Sequence, residues 1–134
     1  MLGAGKIGLV LAESLAKRGA QVTLVEEEKR IAGDVMPSFK WRHSAWVEEL
    51  NIKTLTSSRP KRITAEGVSV VNAKGEETFV AADTVIAAGP RKSNQELFRE
   101  FEWMIDELHG CGDAMIPRGM DAAIAEGYRL GVRI

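Results

Sequence analysis

The sequence is short of reactive and crosslinking residues: it has a single cysteine, Cys111, two histidines, His43 and His109, and one tyrosine. One thiol cannot close an internal disulfide and fits a reducing compartment, so a cytoplasmic location is expected. His43, His109 and Cys111 are too dispersed to form a metal-ligand cluster. Net charge is nearly absent too, with 18 basic against 19 acidic side chains and a formal charge of −1. Such a balance provides no field to hold DNA, RNA or an anionic membrane, and neither nucleic acid nor membrane is expected as a partner. No apolar run approaches the roughly 20 residues that span a bilayer, and no charged segment followed by a signal-type apolar stretch opens the chain. No nucleophile stands with a base, or acid with base, in a pattern that would make a self-contained catalytic centre.

What is present is a core-forming composition, 45% apolar over 134 residues, and a glycine run near the start. Gly3-Ala4-Gly5-Lys6-Ile7-Gly8 precedes a helical pattern, and Glu26 closes the apolar segment Gln21-Val22-Thr23-Leu24-Val25. That spacing is a dinucleotide-binding fingerprint. Glycines let the strand-to-helix turn close and the backbone approach a pyrophosphate, and the helix N-terminus faces the anion with free amides. Gly3, Ala4, Gly5, Lys6, Ile7 and Gly8 are therefore the candidate pyrophosphate cradle. Glu26 is the candidate acceptor for the 2′ and 3′ hydroxyls of an adenosine ribose, and its charge would repel a 2′-phosphate, so NADH is preferred to NADPH. Lys29 and Arg30 would blunt that preference. The bland alternatives are a tight turn that binds nothing and a carboxylate that, with Glu27 and Glu28, only decorates a solvated loop.

Periodicity supplies the frame. A helix is expected over residues 7–18, stopped by Gly19, then a buried parallel strand over 21–25, a surface connection over 27–39, a helix over 41–50 and a third strand over 52–56. After Pro60 the segments 62–69, 70–72 and 78–80, separated by Glu66-Gly67 and Asn72-Ala73-Lys74-Gly75, predict an antiparallel meander. Thr84 to Gly89 is a buried-strand candidate ended by Pro90. Helices are then expected over 93–107 and 121–133. The fold class is α/β: a Rossmann-like doubly wound parallel sheet with a small antiparallel meander. Its first strand is truncated to Met1 and Leu2, which leaves an exposed sheet edge open to pairing with another chain, a homodimer included. Cys111 is expected to be a partly buried inert thiol, and His43 and His109 to be surface or helix-end residues. Lys40, Trp41, Arg42, His43 and Trp46 fit one packed helix with a solvated face better than a nucleic-acid site.

The order of motifs resembles the C-terminal nucleotide-binding portion of NADH:flavin oxidoreductases related to 2,4-dienoyl-CoA reductase and trimethylamine dehydrogenase. The glycine run with Glu26, Ala82-Asp83-Thr84-Val85-Ile86-Ala87-Ala88-Gly89, and Gly112-Asp113-Ala114 followed by Ala123-Ile124-Ala125-Glu126-Gly127-Tyr128-Arg129 carry the likeness. It implies a longer parent in which a barrel with FMN and an iron-sulfur cluster precedes two nested nucleotide-binding domains. Residues 1–90 would be the inner NAD(P)-binding domain and 91–134 a returning piece of an outer FAD- or ADP-type domain. The remaining domains of that flavoprotein would be partners, hydride would pass from NADH to a flavin held by them, and the chain alone is expected to be inactive. Gly89 would sit at the cofactor turn. Family members follow it with proline and asparagine, whereas here Ser93 stands before Asn94. Asp113, after Gly112, resembles the acid that bonds the ribitol or ribose side of the outer nucleotide, with a helix-capping or turn aspartate as the alternative. A non-catalytic ADP site, or FAD at the glycine loop, are the competing expectations.

Overall fold

The structure, a computed structural model, describes all residues from Met1 to Ile134. It divides into two compact units, Met1–Gly89 and Pro90–Ile134.

In the first unit, helix α1 (Lys6–Lys17) follows the glycine turn and leads to strand β1 (Thr23–Val25). Leu9 and Ala12 of α1 are completely buried, as is Leu24 of β1, so the apolar stripe of the helix and the strand share one core. Helix α2 (Pro37–Glu49) then leads to strand β2 (Lys53–Leu55), which pairs parallel with β1 in the register Thr23 to Lys53 and Val25 to Leu55. The connection before α2 is not the purely superficial segment that its charges suggest. Ala32 and Val35 are buried in the same core, and the Ala32 N–H donates to the Ala4 carbonyl at 2.8 Å. Nor does α2 wait until Trp41; it starts at Pro37, whose fixed φ and missing N–H suit the first helical position.

Strands β3 (Ser58–Thr64), β4 (Gly67–Asn72) and β5 (Glu77–Ala81) form the antiparallel meander in that order. β3 begins four residues earlier than expected and runs through Pro60. A proline is tolerated there because β3 is an edge strand with a register shift between Pro60 and Arg62. Val68 and Val70 of the central strand β4 bury with Val25 in a second cluster, against which Leu2, Leu55, Val80 and Val85 pack.

The slot for the first strand is filled differently from the expected open edge. Leu2 bridges in parallel to both Val25 and Ala87. Val25 N–H donates to the Met1 carbonyl at 2.9 Å and Gly3 N–H to the Val25 carbonyl at 2.8 Å, while Leu2 N–H reaches the Ile86 carbonyl at 2.8 Å and Ala88 N–H the Leu2 carbonyl at 2.7 Å. At Leu2 the backbone is therefore bonded on both sides. The segment 84–89 in turn makes only this bridge instead of a full strand, with Val85 and Ile86 half-buried, because three residues are all it has to pair with.

The second unit contains helix α3 (Glu96–Phe101), a 3₁₀ turn at Gly112–Ala114 and helix α4 (Met120–Gly131). The helix expected over 93–107 is cut to six residues. The Glu96 N–H donates to Asn94 Oδ1 at 3.2 Å just ahead of the helix, but none of its residues is buried, and Trp103 and Met104 beyond it are exposed. An apolar stripe with nothing to pack on within its unit does not sustain a long helix. No helix is long and apolar enough to cross a membrane.

Candidate functional site

The glycine turn joins Leu2 to α1, and each glycine has its own cause. Gly3 has φ +103°, and a Cβ there would run into the Ala88 carbonyl and the Gly89 nitrogen; one on Gly8 would meet the Gly3 carbonyl. Both positions are consumed by close packing of turn, helix and the 86–89 segment, which also brings Gly89 beside Gly3. Gly5 is different: its α-carbon faces a carboxylate. A Cβ there would fall 2.9 Å from Asp34 Oδ1 and 3.1 Å from Oδ2.

Glu26 follows β1 directly and turns back onto the loop. Its Oε2 accepts the Ala4 N–H at 2.7 Å and its Oε1 the Glu28 N–H at 3.0 Å. The strand end is pinned from the other side, where Ser58 N–H donates to the Glu26 carbonyl and Ser57 N–H to the Glu28 carbonyl, both at 2.9 Å. Each carboxylate oxygen keeps a lone pair that can accept a hydroxyl. The structure thus brings Gly3, Ala4, Gly5, Lys6, Ile7, Gly8, Gly89 and Glu26 to one place. It also commits two of the expected amides: Gly3 to Val25, and Ala4, which is completely buried, to Glu26.

The first turn of α1 has no side-chain cap on Gly5, its N-cap residue. Lys6 N–H donates instead to Asp34 Oδ1 at 2.7 Å, while Ile7 and Gly8 N–H have no acceptor. The Asp34 carboxylate is thus an anion held at the N-terminus of α1, and this donor set fits an anionic group. Sequence reasoning missed Asp34. Its signal is faint: an aspartate after Gly33 in the connection that follows the acid. Two open recesses of the first unit, of about 310 and 450 Å³, share no residue with this turn; their walls are β2 and the meander. The chemistry of the glycine turn, not concavity, locates the candidate site.

Gly112 and Asp113 lie in the second unit and are held by its own residues. Gly112 N–H donates to Glu126 Oε2 at 2.8 Å, Asp113 Oδ1 accepts the Arg118 N–H at 3.0 Å, Arg91 pairs with Asp113, and Arg118 pairs with Glu126. Arg91 and Arg118 were not singled out from sequence, and Glu126 was named only as part of the closing motif, without its contact to Gly112. Cys111 is exposed, not partly buried. His43 is not a surface residue either. Its side chain is 12% exposed and its Nδ1 lies 2.6 Å from Oε1 of Glu13, which is itself buried, with the Trp46 ring edge-on at 5.9 Å.

A family model described as pyridine nucleotide-disulphide oxidoreductase matches residues 1–110. The metal reductase of Desulforamulus reducens is 31% identical over 113 residues, 84% of this chain and 17% of that protein. The NADH oxidase of Thermoanaerobacter brockii is 28% identical over 135 aligned residues, 100% of this chain and 21% of that protein. Among solved structures, 2-naphthoyl-CoA reductase in complex with 2-naphthoyl-CoA superposes with a TM-score of 0.86 at 29% identity, covering 99% of this chain and 20% of that one. The chain thus spans about a fifth of the length of these relatives.

Proposed function

The chain belongs to the pyridine nucleotide-disulphide oxidoreductase family, and from that premise we propose that its first unit holds the adenosine ribose and pyrophosphate of NADH. The wider setting of the proposal is a flavin-dependent reductase of the NADH:flavin oxidoreductase kind. The observation that carries it is the 2.7 Å hydrogen bond from Ala4 N–H to Glu26, which fixes the ribose-binding acid against the phosphate-facing turn. When bound, the nicotinamide supplies a hydride, and the flavin that takes it belongs to polypeptide outside this chain.

The chain's own residues orient and select. Glu26, anchored through one lone pair of each oxygen, presents the others to the ribose hydroxyls. The same negative charge disfavours a 2′-phosphate. The first-turn amides of α1 face the pyrophosphate with the positive end of the helix dipole. Gly3 and Gly8 let the backbone come close enough for this arrangement to form. In the second unit, the Gly112–Asp113 turn belongs to the site of the outer flavin-adenine or ADP nucleotide, with Arg91 and Arg118 fixing the Asp113 carboxylate.

Calorimetric titration with NADH, NADPH and ADP tests the proposal. NADH is expected to bind at least about tenfold more tightly than NADPH, a difference of ~1.4 kcal/mol. Equal binding of NADH and ADP, together with a full-length parent whose flavin NADH does not reduce, would replace the catalytic role by a structural ADP site. Tighter binding of NADPH would remove the role given to Glu26.

A further inference from the structure

We infer that Asp34 occupies, as an internal anion, the seat that the cofactor's pyrophosphate takes, and that dinucleotide binding requires this carboxylate to withdraw. The inference rests on the dinucleotide-binding role proposed for the glycine turn. Asp34 Oδ1 accepts the Lys6 N–H at 2.7 Å, and both oxygens lie against the α-carbon of Gly5, the one glycine of the run whose missing side chain is not explained by backbone packing. A pyrophosphate approaching the same amides would meet a carboxylate at contact distance, and like charges there repel strongly.

The connection is built so that Asp34 moves without the core. Ala32 and Val35 on either side are buried, at 2% and 6% exposure, and Ala32 is further tied by its N–H to the Ala4 carbonyl. Between these two anchors Gly33 and Asp34 are both exposed, and the space around the Gly33 α-carbon is open. Rotation of the exposed Asp34 side chain swings the carboxylate off Lys6 while Ala32 and Val35, joined across the turn by the Val35 N–H to the Ala32 carbonyl at 3.2 Å, stay seated. Asp34 thus sets the threshold for cofactor entry: it holds the amides of the free protein and competes with the ligand for them.

The test titrates NADH, ADP and inorganic pyrophosphate into the wild-type protein, Asp34→Asn and Asp34→Ala, at low and at high salt. Asp34→Asn keeps an oxygen for the Lys6 N–H and guards against loss of folding, which thermal melting monitors. The expected result is tighter binding of all three ligands by both variants, by about three- to tenfold for Asp34→Ala at low salt, with the gain shrinking at high salt as screening removes the repulsion. Unchanged or weaker binding by both variants, with NADH still bound by the wild type, overturns the inference and leaves the proposed function standing. If none of the three proteins binds any nucleotide, the proposed function fails and the inference falls with it.

Discussion

Glu26 has a structural duty, the hydrogen bond from Ala4, and a proposed binding duty, and substitution can divide them. Replacing it with alanine removes the acceptor for the N–H of Ala4, a completely buried residue. An unsatisfied buried donor costs about 1–3 kcal/mol, so urea unfolding of Glu26→Ala should show a loss in that range. Glu26→Gln keeps an acceptor oxygen and should stay within about 1 kcal/mol of the wild type, yet calorimetry should find its preference for NADH over NADPH reduced, since the repelling charge is gone. Gly3→Ala is expected to cost roughly 2–4 kcal/mol by the same unfolding measurement, because φ +103° suits no side chain and the Ala88 carbonyl blocks the only exit. The glycine turn and its meeting with Glu26 were legible in the sequence because they depend on a recurrent strand-turn-helix spacing. Asp34 and the Glu13–His43 pair were not, because each meets a partner 28 or 30 residues away and only the folded backbone defines those meetings.

Helices α1 and α2 meet across the Glu13–His43 contact, which gives that element pair a polar tie inside an apolar interface. His43→Leu leaves the Glu13 carboxyl, 5% exposed, without its partner, and is expected to destabilise by about 1–3 kcal/mol in chemical denaturation. The double variant Glu13→Leu with His43→Leu should recover most of that loss, because no orphaned polar group remains. On the meander, the hydrogen bond and charge of Lys61, 2.6 Å away, hold the Glu77 carboxyl below the ordinary glutamate range. A depressed carboxylate stabilises the fold above its unfolded-state value and loses that contribution as pH falls through the folded-state value. The pH dependence is therefore confined to acid pH, and because the pair is solvent-exposed its contribution is small throughout, so Lys61→Gln should move the Glu77 midpoint upward in an NMR titration while leaving stability at neutral pH almost unchanged. At this scale, parallel α/β order and an antiparallel meander could be read from period and turn residues. The start of α2 at Pro37 and the passage of β3 through Pro60 could not, since each proline is tolerated for a positional reason visible only once the neighbouring element is known.

Across the whole molecule, burial is unevenly divided. Every buried apolar residue belongs to Met1–Gly89, and none to Pro90–Ile134. Amide exchange should follow that division, with the slowest hydrogens in α1, β1 and β4 and little protection in α3 and α4; comparable protection in both units would contradict it. Chain length and composition implied enough apolar material for one core, but not that it would all be gathered in the first two-thirds of the chain, because the apolar stripes of α3 and α4 look like core faces in sequence. Leu2 has the widest reach. Its backbone joins Val25 on one side and Ala87 on the other, so one short segment is held by residues more than eighty positions further along the chain. During synthesis the parallel layer stays incomplete on that flank until residue 88 has emerged, and the glycine turn takes shape only at the close of the unit's translation.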